Sequence, residues 1–149
     1  MLFKSKSLLF VFSLLFFCGI QGQSLPSFEL TSAWKTKIKS MVKEQIKTPT
    51  KDKKKLLIFS LHTGFNHWTI PHTEAVMEMI AQNSGAFEIT LSKDIAVFEK
   101  DQLSKFDVVL LNNNCSRGER RDLFWDVFNK DASLNEQQKI KRANQLEKN

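Results

Sequence analysis

A chain of 149 residues with 42% hydrophobic content has room for one small domain and not for two independent cores. The formal charge of +6 at first suggests a nucleic-acid-binding protein. Its distribution argues against that class, because nine lysines lie within residues 35–55, whereas residues 56–149 carry 11 basic and 13 acidic side chains. The globular part of the chain is therefore close to neutral, and we expect no nucleic-acid partner.

The first 22 residues have the order of a secretory signal peptide. Lys4 and Lys6 precede an apolar run over residues 8–17, and small residues follow it up to Gly22. The pattern predicts cleavage after Gly22 and export to the periplasm or out of the cell. An uncleaved anchor helix is the alternative, although the run is short for a membrane span. Removal of the segment leaves Cys115 as the one cysteine, so no intramolecular disulfide can form.

Residues 23–54 form a basic segment between the signal peptide and the domain. Within residues 31–46, apolar side chains recur at helical spacing with lysines between them: Trp34, Ile38, Met41, Val42 and Ile46. This predicts a basic amphipathic helix, which ends before Pro49 and a short linker. We expect the helix to dock on the domain. The alternatives are a peripheral position on a membrane surface and self-association through this helix.

Residues 55–149 alternate between strand and helix patterns. Three runs predict strands, the first and third buried and the second more exposed: residues 56–61, 87–91 and 106–111. Helix patterns separate and follow them: residues 71–82, 123–128 and 133–146. Gly85 is predicted to stop the first of these helices, and a Ser133-x-x-Glu136 capping box is predicted to open the last.

This order of elements predicts the start of a doubly wound, flavodoxin-like α/β fold. Right-handed crossovers place the strands in the order 2-1-3 of a parallel sheet. Such a fold buries its sheet under helices on both faces, and three strands with a final helix make about half of it. We therefore expect a truncated domain with an open sheet edge, and an open edge favours self-association.

The carboxyl ends of the first and third strands face one crevice in this order, and a polar loop follows each strand. The predicted ligand-binding residues of the two loops are His62, Gly64, Asn66, His67, Trp68, Asn112 and Asn113. Their hydrogen-bonding groups and aromatic plane suit a neutral polyhydroxylated ligand. Structural roles are the alternative: a glycine turn, asparagine caps, a tryptophan packed on the helix and histidines in a surface turn. With no Cys-x-x-Cys or His-Glu-x-x-His motif, we predict no metal site.

Three segments of the chain form a recognisable set: Gly64-Phe65-Asn66-His67-Trp68-Thr69-Ile70-Pro71, Lys93-Asp94-Ile95-Ala96-Val97-Phe98 and Asp107-Val108-Val109-Leu110-Leu111-Asn112. Together they resemble the ThuA-like (trehalose-utilisation) family of the class I glutamine-amidotransferase-like superfamily. The resemblance covers roughly residues 55–114 and implies a role in carbohydrate metabolism of the trehalose or keto-sugar type. Asn66 replaces the usual arginine of the family. The Gly-rich strand and the nucleophile elbow that follow such a last helix in the family have no counterpart before Asn149, and Cys115 does not match the elbow.

Two other functions stay open. One is a non-catalytic carbohydrate-binding or interaction module on the same fold. The other is a cysteine phosphatase, because Cys115 and Arg121 fit the Cys-x5-Arg phosphate loop, in which a thiolate attacks phosphorus and an arginine holds the phosphate oxygens. Asn114 and Asp122 depart from that motif. The sequence names neither the sugar, nor the reaction, nor a cofactor.

Overall fold

The computed structural model of the chain describes residues 29–42 and 52–149. The predicted signal peptide and much of the predicted linker lie outside these residues. The described part of the chain forms five α-helices, one 3₁₀ helix and three strands. In chain order they are α1 (Ser32–Met41), β1 (Lys54–Phe59), α2 (Ile70–Ser84), β2 (Phe87–Ser92), the 3₁₀ helix (Ile95–Phe98), α3 (Lys100–Leu103), β3 (Val108–Leu111), α4 (Leu123–Phe128) and α5 (Glu136–Lys148).

The three strands form one parallel sheet in the order β2-β1-β3. Leu56 of β1 lies opposite Ile89 of β2 on one side and opposite Val108 of β3 on the other. The predicted α/β class and the predicted strand order are therefore confirmed. β1 is in register with β2 up to Ser92 and with β3 up to Leu111, so β1 ends at Phe59 rather than at the predicted Leu61.

Helices cover both faces of β1, which explains its continuous apolar run. Side chains alternate between the two faces of a strand. One face carries a core shared with the 3₁₀ helix, α4 and α5, built from the buried residues Leu57, Phe59, Ile95, Phe128, Ala143 and Leu146. The other face packs against α2 through the buried residues Leu56, Ile58 and Ala81. Both cores depend on β1, so this strand organises the domain.

β3 departs from its prediction as a buried strand over residues 106–111. It begins at Val108, and its side chains are largely exposed, with Leu111 60% exposed. The reason is that β3 pairs with β1 on one side, whereas no described strand pairs with its other side. An apolar run predicts a strand. Whether that strand is buried also depends on which other elements pack beside it, and the run does not contain that information. The expected open edge is therefore found at β3.

The ends of the long helices match the sequence in one case and not in the other. α2 has Pro71 in its first turn and ends at Gly85, whose φ of 66° is left-handed, as predicted. The predicted Ser133 capping box is wrong. Asn135 caps α5 instead: its side chain accepts from the Gln138 amide at 2.9 Å, and the Gln138 side chain accepts from the Asn135 amide at 2.8 Å. Ser133 donates its hydroxyl to the Asp131 carboxylate at 2.6 Å, in the preceding turn.

α1 docks on the domain, as predicted. Its N-cap is Thr31, whose hydroxyl accepts from the Trp34 amide at 3.1 Å. The Trp34 ring then packs edge-on against the His72 ring of α2, with the ring centres 5.0 Å apart. The predicted continuation of α1 to Ile46 lies outside the described residues. Among the described helices, none has the length and apolar character needed to cross a membrane.

Asp107 fixes the start of β3 to the start of β1. Its carboxylate accepts from the Lys55 amide at 2.8 Å and from the Lys54 ammonium at 3.3 Å. These two hydrogen bonds, the backbone one first, lower the pKa of Asp107 below its ordinary value of 3.8. The contribution of the carboxylate to the free energy of unfolding is therefore present above 3.8 and is lost as the pH falls through the lower pKa of the folded protein.

We therefore expect Asp107→Asn to lower the melting temperature at neutral pH and to make the melting temperature less sensitive to acid. Thermal melts from about pH 6 to about pH 2 measure both effects. Asp101→Asn removes an exposed carboxylate outside the sheet and is the control. An equal acid sensitivity of wild type and Asp107→Asn would contradict the prediction.

Candidate functional site

The loops that follow β1 and β3 lie directly against each other. The amides of Thr63 and Gly64 both donate to the Cys115 carbonyl, at 3.0 Å each. A Cβ placed on Gly64 would lie 2.8 Å from the Ser116 carbonyl oxygen and 2.7 Å from the Cys115 sulfur, so a side chain has no room there. Gly64 is therefore needed for the close approach of the two loops. The predicted meeting of these loops at one edge of the sheet is seen.

The two loops border an open hollow of about 480 Å³, called the loop hollow below. It is lined by Gly64, Phe65 and Asn66 of the first loop and by Ser116, Arg117, Gly118 and Arg121 of the second. The Phe65 ring is 67% exposed and offers an apolar surface beside the Asn66 amide. The volume of the loop hollow lies in the range of ordinary small-molecule sites, which is about 300 to 1,000 Å³.

The carboxylates next to the loop hollow are engaged inside the protein. Asp126 accepts from the Arg117 amide at 2.7 Å and from the Thr63 hydroxyl in a short hydrogen bond. Asp122 accepts from the Trp125 amide at 2.8 Å and pairs with the Arg120 guanidinium at 3.7 Å. Asp126 thereby ties both loops to α4. None of these acids lines the loop hollow itself.

Predicted residues of the first loop lie at two different hollows of the structure. Asn66 and Gly64 line the loop hollow, and the exposed His67 ring packs edge-on against Phe65 with a centre distance of 4.5 Å. Trp68 points elsewhere: its ring packs against His72, 5.7 Å between centres, and lines a separate hollow beside α1 and α2. Trp68 therefore does not share a hollow with Asn66.

His62 and Asn113 lie at the margins of this arrangement. His62 is half-buried, and its Nδ1 has no hydrogen-bond partner among the described residues. Asn113 is exposed and has a left-handed backbone with φ of 55°. Asparagine tolerates that conformation better than most residues, so Asn113 serves the turn that follows β3.

Asn112 is part of the framework and not of the hollow. It is 3% exposed. Its amide nitrogen donates to the Ser60 hydroxyl at 3.0 Å and to the Ile70 carbonyl at 3.1 Å, and its amide oxygen accepts from the Thr73 hydroxyl at 2.7 Å. Every polar atom of this side chain has a partner within the protein, so Asn112 joins β3 to β1 and α2.

Five residues that line the loop hollow are not among the ligand-binding residues predicted from the sequence: Phe65, Ser116, Arg117, Gly118 and Arg121. Phe65 could have been predicted from its place within the first loop. The sequence indicated the arginines less clearly, because Arg121 was noted only as part of the Cys-x5-Arg pattern. Asn66 brings no cation to the first loop, but the second loop brings two to the same hollow.

The geometry around Cys115 argues against a phosphate loop. Such a loop points its backbone amides at the bound phosphate, whereas the Arg117 amide is taken by Asp126. Arg121 has a left-handed backbone with φ of 51°, and α4 starts only after Asp122, its N-cap. In the part of the chain that the structure describes, no group of three His, Cys, Asp or Glu side chains could hold a metal ion.

Comparison of the chain with protein-family models, with curated proteins and with solved structures gives no match. The function proposed below therefore rests on the sequence resemblance and on the geometry of the described residues.

Proposed function

We propose that this protein carries a doubly wound, ThuA-like α/β domain that binds a small carbohydrate in the loop hollow. The resemblance over residues 55–114 includes the first loop and the strand that leads to the second. The sheet order β2-β1-β3 and the helices on both faces of β1 agree with such a fold. The observation that carries the proposal is the placement of Phe65, Asn66 and Arg117 around one hollow at the carboxyl ends of β1 and β3.

These side chains suit a sugar in different ways. The exposed Phe65 ring can stack on the apolar face of a sugar ring, and the Asn66 amide and the arginine guanidiniums can hydrogen-bond to hydroxyls. The residues that line the loop hollow include no carboxylate, imidazole or thiol. This favours the second function class named by the sequence, a carbohydrate-binding module without catalysis, over turnover of the sugar.

Calorimetry with trehalose, glucose and their keto derivatives tests this proposal. We expect Phe65→Ala to weaken binding by about 1 to 3 kcal/mol, because it removes the aromatic surface of the hollow. Trp68→Ala is the matched control, since it removes an aromatic ring from the same loop but from a different hollow. If Trp68→Ala weakened binding and Phe65→Ala did not, the ligand would lie beside α1 and the proposed site would be wrong.

The other sequence predictions extend the proposal. The signal peptide pattern of residues 1–22, which lies outside the described residues, supports export to the periplasm or out of the cell. The docking of α1 through Trp34 uses part of its apolar side, whereas Met41 is 65% exposed and leaves room for a membrane surface. The exposed apolar side chains of β3 support self-association through that edge.

A further inference from the structure

We propose that the loop hollow selects a sugar that carries a negative charge, either a carboxylate or a phosphate. This inference rests on the proposed function, because it names the class of carbohydrate that the same hollow takes. It goes beyond the neutral ligand that the loop residues alone suggested. It rests on the two arginines that line the hollow, neither of which forms an ion pair with a described residue.

Arg117 and Arg121 are two cations that have no counter-ion among the described residues. Both line the loop hollow, and neither side chain forms an ion pair or a hydrogen bond with any described residue. Arg120, between them in sequence, differs: it pairs with Asp122 at 3.7 Å and lies over the Trp125 ring at 4.2 Å. Asp122 therefore compensates the charge of Arg120, whereas the charges of the two arginines that line the hollow can interact with a ligand.

The nearby acids do not compensate these two charges. Asp126 faces the loop backbone, where it accepts from the Arg117 amide and the Thr63 hydroxyl. Asp122 serves Arg120 and the start of α4. Glu119 is exposed and lines a neighbouring hollow that shares Arg117 and Gly118 with the loop hollow, but Glu119 itself does not line the loop hollow. The loop hollow is therefore lined by two positive charges and no negative one.

The backbone of the hollow leaves space for an anion to approach. Gly118 contributes no side chain to its walls, and no atom lies within 4 Å of the position that its Cβ would take; its φ of 86° is left-handed, which favours glycine. A planar guanidinium can donate two parallel hydrogen bonds to a carboxylate or a phosphate. Phe65 and Asn66 on the facing loop would then hold the sugar ring and its hydroxyls.

Calorimetry at low salt with four probes tests this inference: glucuronate, glucose 6-phosphate, glucose and inorganic phosphate. We expect at least one charged sugar to bind about ten-fold or more tightly than glucose, and added salt to reduce that advantage. Glucuronate and glucose 6-phosphate separate the carboxylate source from the phosphate source. Arg117→Gln and Arg121→Gln should each weaken binding of the charged sugar by about ten-fold. They should weaken binding of glucose less, because glucose offers these arginines neutral hydroxyls and no anion.

Arg120→Gln is the matched control. It also removes a guanidinium from this segment, but that guanidinium already pairs with the Asp122 carboxylate. We expect it to change the affinity by less than about three-fold. Unchanged melting temperatures of the two glutamine variants in the hollow would show that the loss is one of binding and not of folding. We expect them to be unchanged because both side chains are exposed and form no ion pair within residues 29–42 and 52–149.

The outcomes separate this inference from the proposed function. If glucose binds as tightly as the charged sugars and the glutamine variants change nothing, the preference for an anion is wrong and carbohydrate binding stands. If inorganic phosphate binds as tightly as glucose 6-phosphate and Phe65→Ala has no effect, the hollow holds an anion without a sugar, and both proposals are wrong. Absence of binding by all four probes would contradict the preference for an anion, whereas the proposed function would be wrong only if trehalose and the keto derivatives also failed to bind.

Discussion

Asn112→Asp is expected to destabilise the folded protein by about 3 to 5 kcal/mol at neutral pH. The substitution keeps the shape of the side chain but replaces its donating nitrogen by an oxygen. That atom would face the Ser60 hydroxyl at 3.0 Å and the Ile70 carbonyl at 3.1 Å, and the new charge would be buried at a site that is 3% exposed. Domains of this size are stable by about 5 to 15 kcal/mol, so the loss removes much of the total.

The expected dependence on pH makes this prediction specific. Burial raises the pKa of the introduced carboxyl, and its protonated form can again donate to the Ile70 carbonyl. The free energy of unfolding lost at neutral pH should therefore be partly regained as the pH falls through that raised pKa. Urea unfolding at about pH 7 and about pH 5 measures both values.

Asn113→Asp is the matched control, because it makes the same chemical change one residue along the chain at an exposed position. It should change the free energy of unfolding by less than about 0.5 kcal/mol. An Asn112→Asp variant as stable as the wild type would mean that the buried hydrogen bonds of Asn112 do not hold the loops in place.

The centre of the domain could be predicted from the sequence because its signals are local. Residues 56–59 form a continuous apolar run, and such a run in an α/β pattern indicates a strand covered on both faces. Pro71 and Gly85 mark the ends of α2 through backbone restrictions that do not depend on the rest of the fold. The strand order then follows from the handedness of crossovers.

Competition between local signals explains the wrong capping box. Ser133-x-x-Glu136 and Asn135-x-x-Gln138 are overlapping patterns of the same kind. Asp131 decides between them, because its carboxylate accepts from both the amide and the hydroxyl of Ser133. These hydrogen bonds also lower the pKa of Asp131, the one from the hydroxyl most. Ser133 is thereby held in the turn before α5.

The site could be predicted only to the level of its two loops. The ends of parallel strands must meet at one edge of the sheet, which places residues 62–68 near residues 112–121. Which side chains enter the hollow depends on contacts between segments about fifty residues apart along the chain, such as Gly64 with Cys115. The Trp68 ring packs against the His72 ring of α2, and the sequence pattern of the loop does not predict this contact.

Leu111→Lys is expected to abolish a self-association that we predict for the wild-type chain. β3 has an unpaired outer edge in the described structure, with the exposed apolar side chains Val108, Val109 and Leu111. Val109 and Leu111 also line an apolar groove of about 490 Å³ that extends to Phe124 and Leu146. The wild type should show a weight-average mass that rises with concentration in sedimentation equilibrium.

A second copy of the same strand fits this edge. Antiparallel pairing of two β3 strands about a two-fold axis places Val108 opposite Leu111 of the other copy, with apolar side chains on both faces. β3 carries no charge to prevent this, and the one acid at its start, Asp107, is already paired with Lys54. β2 is also an edge strand, but Glu88 and polar residues interrupt it, which is how natural edge strands resist pairing.

The magnitude and the controls follow from this geometry. Leu111 would be buried at two symmetry-related positions of such a dimer. Its replacement costs about 1.5 to 3 kcal/mol of association free energy at each position, which weakens the dimer by about 100-fold or more. Leu91→Lys, a change of the same kind at an exposed leucine of β2, should leave the association unchanged. Deletion of residues 23–50 should also leave it unchanged, because α1 packs against α2 through Trp34 and His72 while β3 stays exposed. A wild-type protein that stays monomeric and melts sharply, with the same melting temperature after that deletion, would show that the edge of β3 needs no partner.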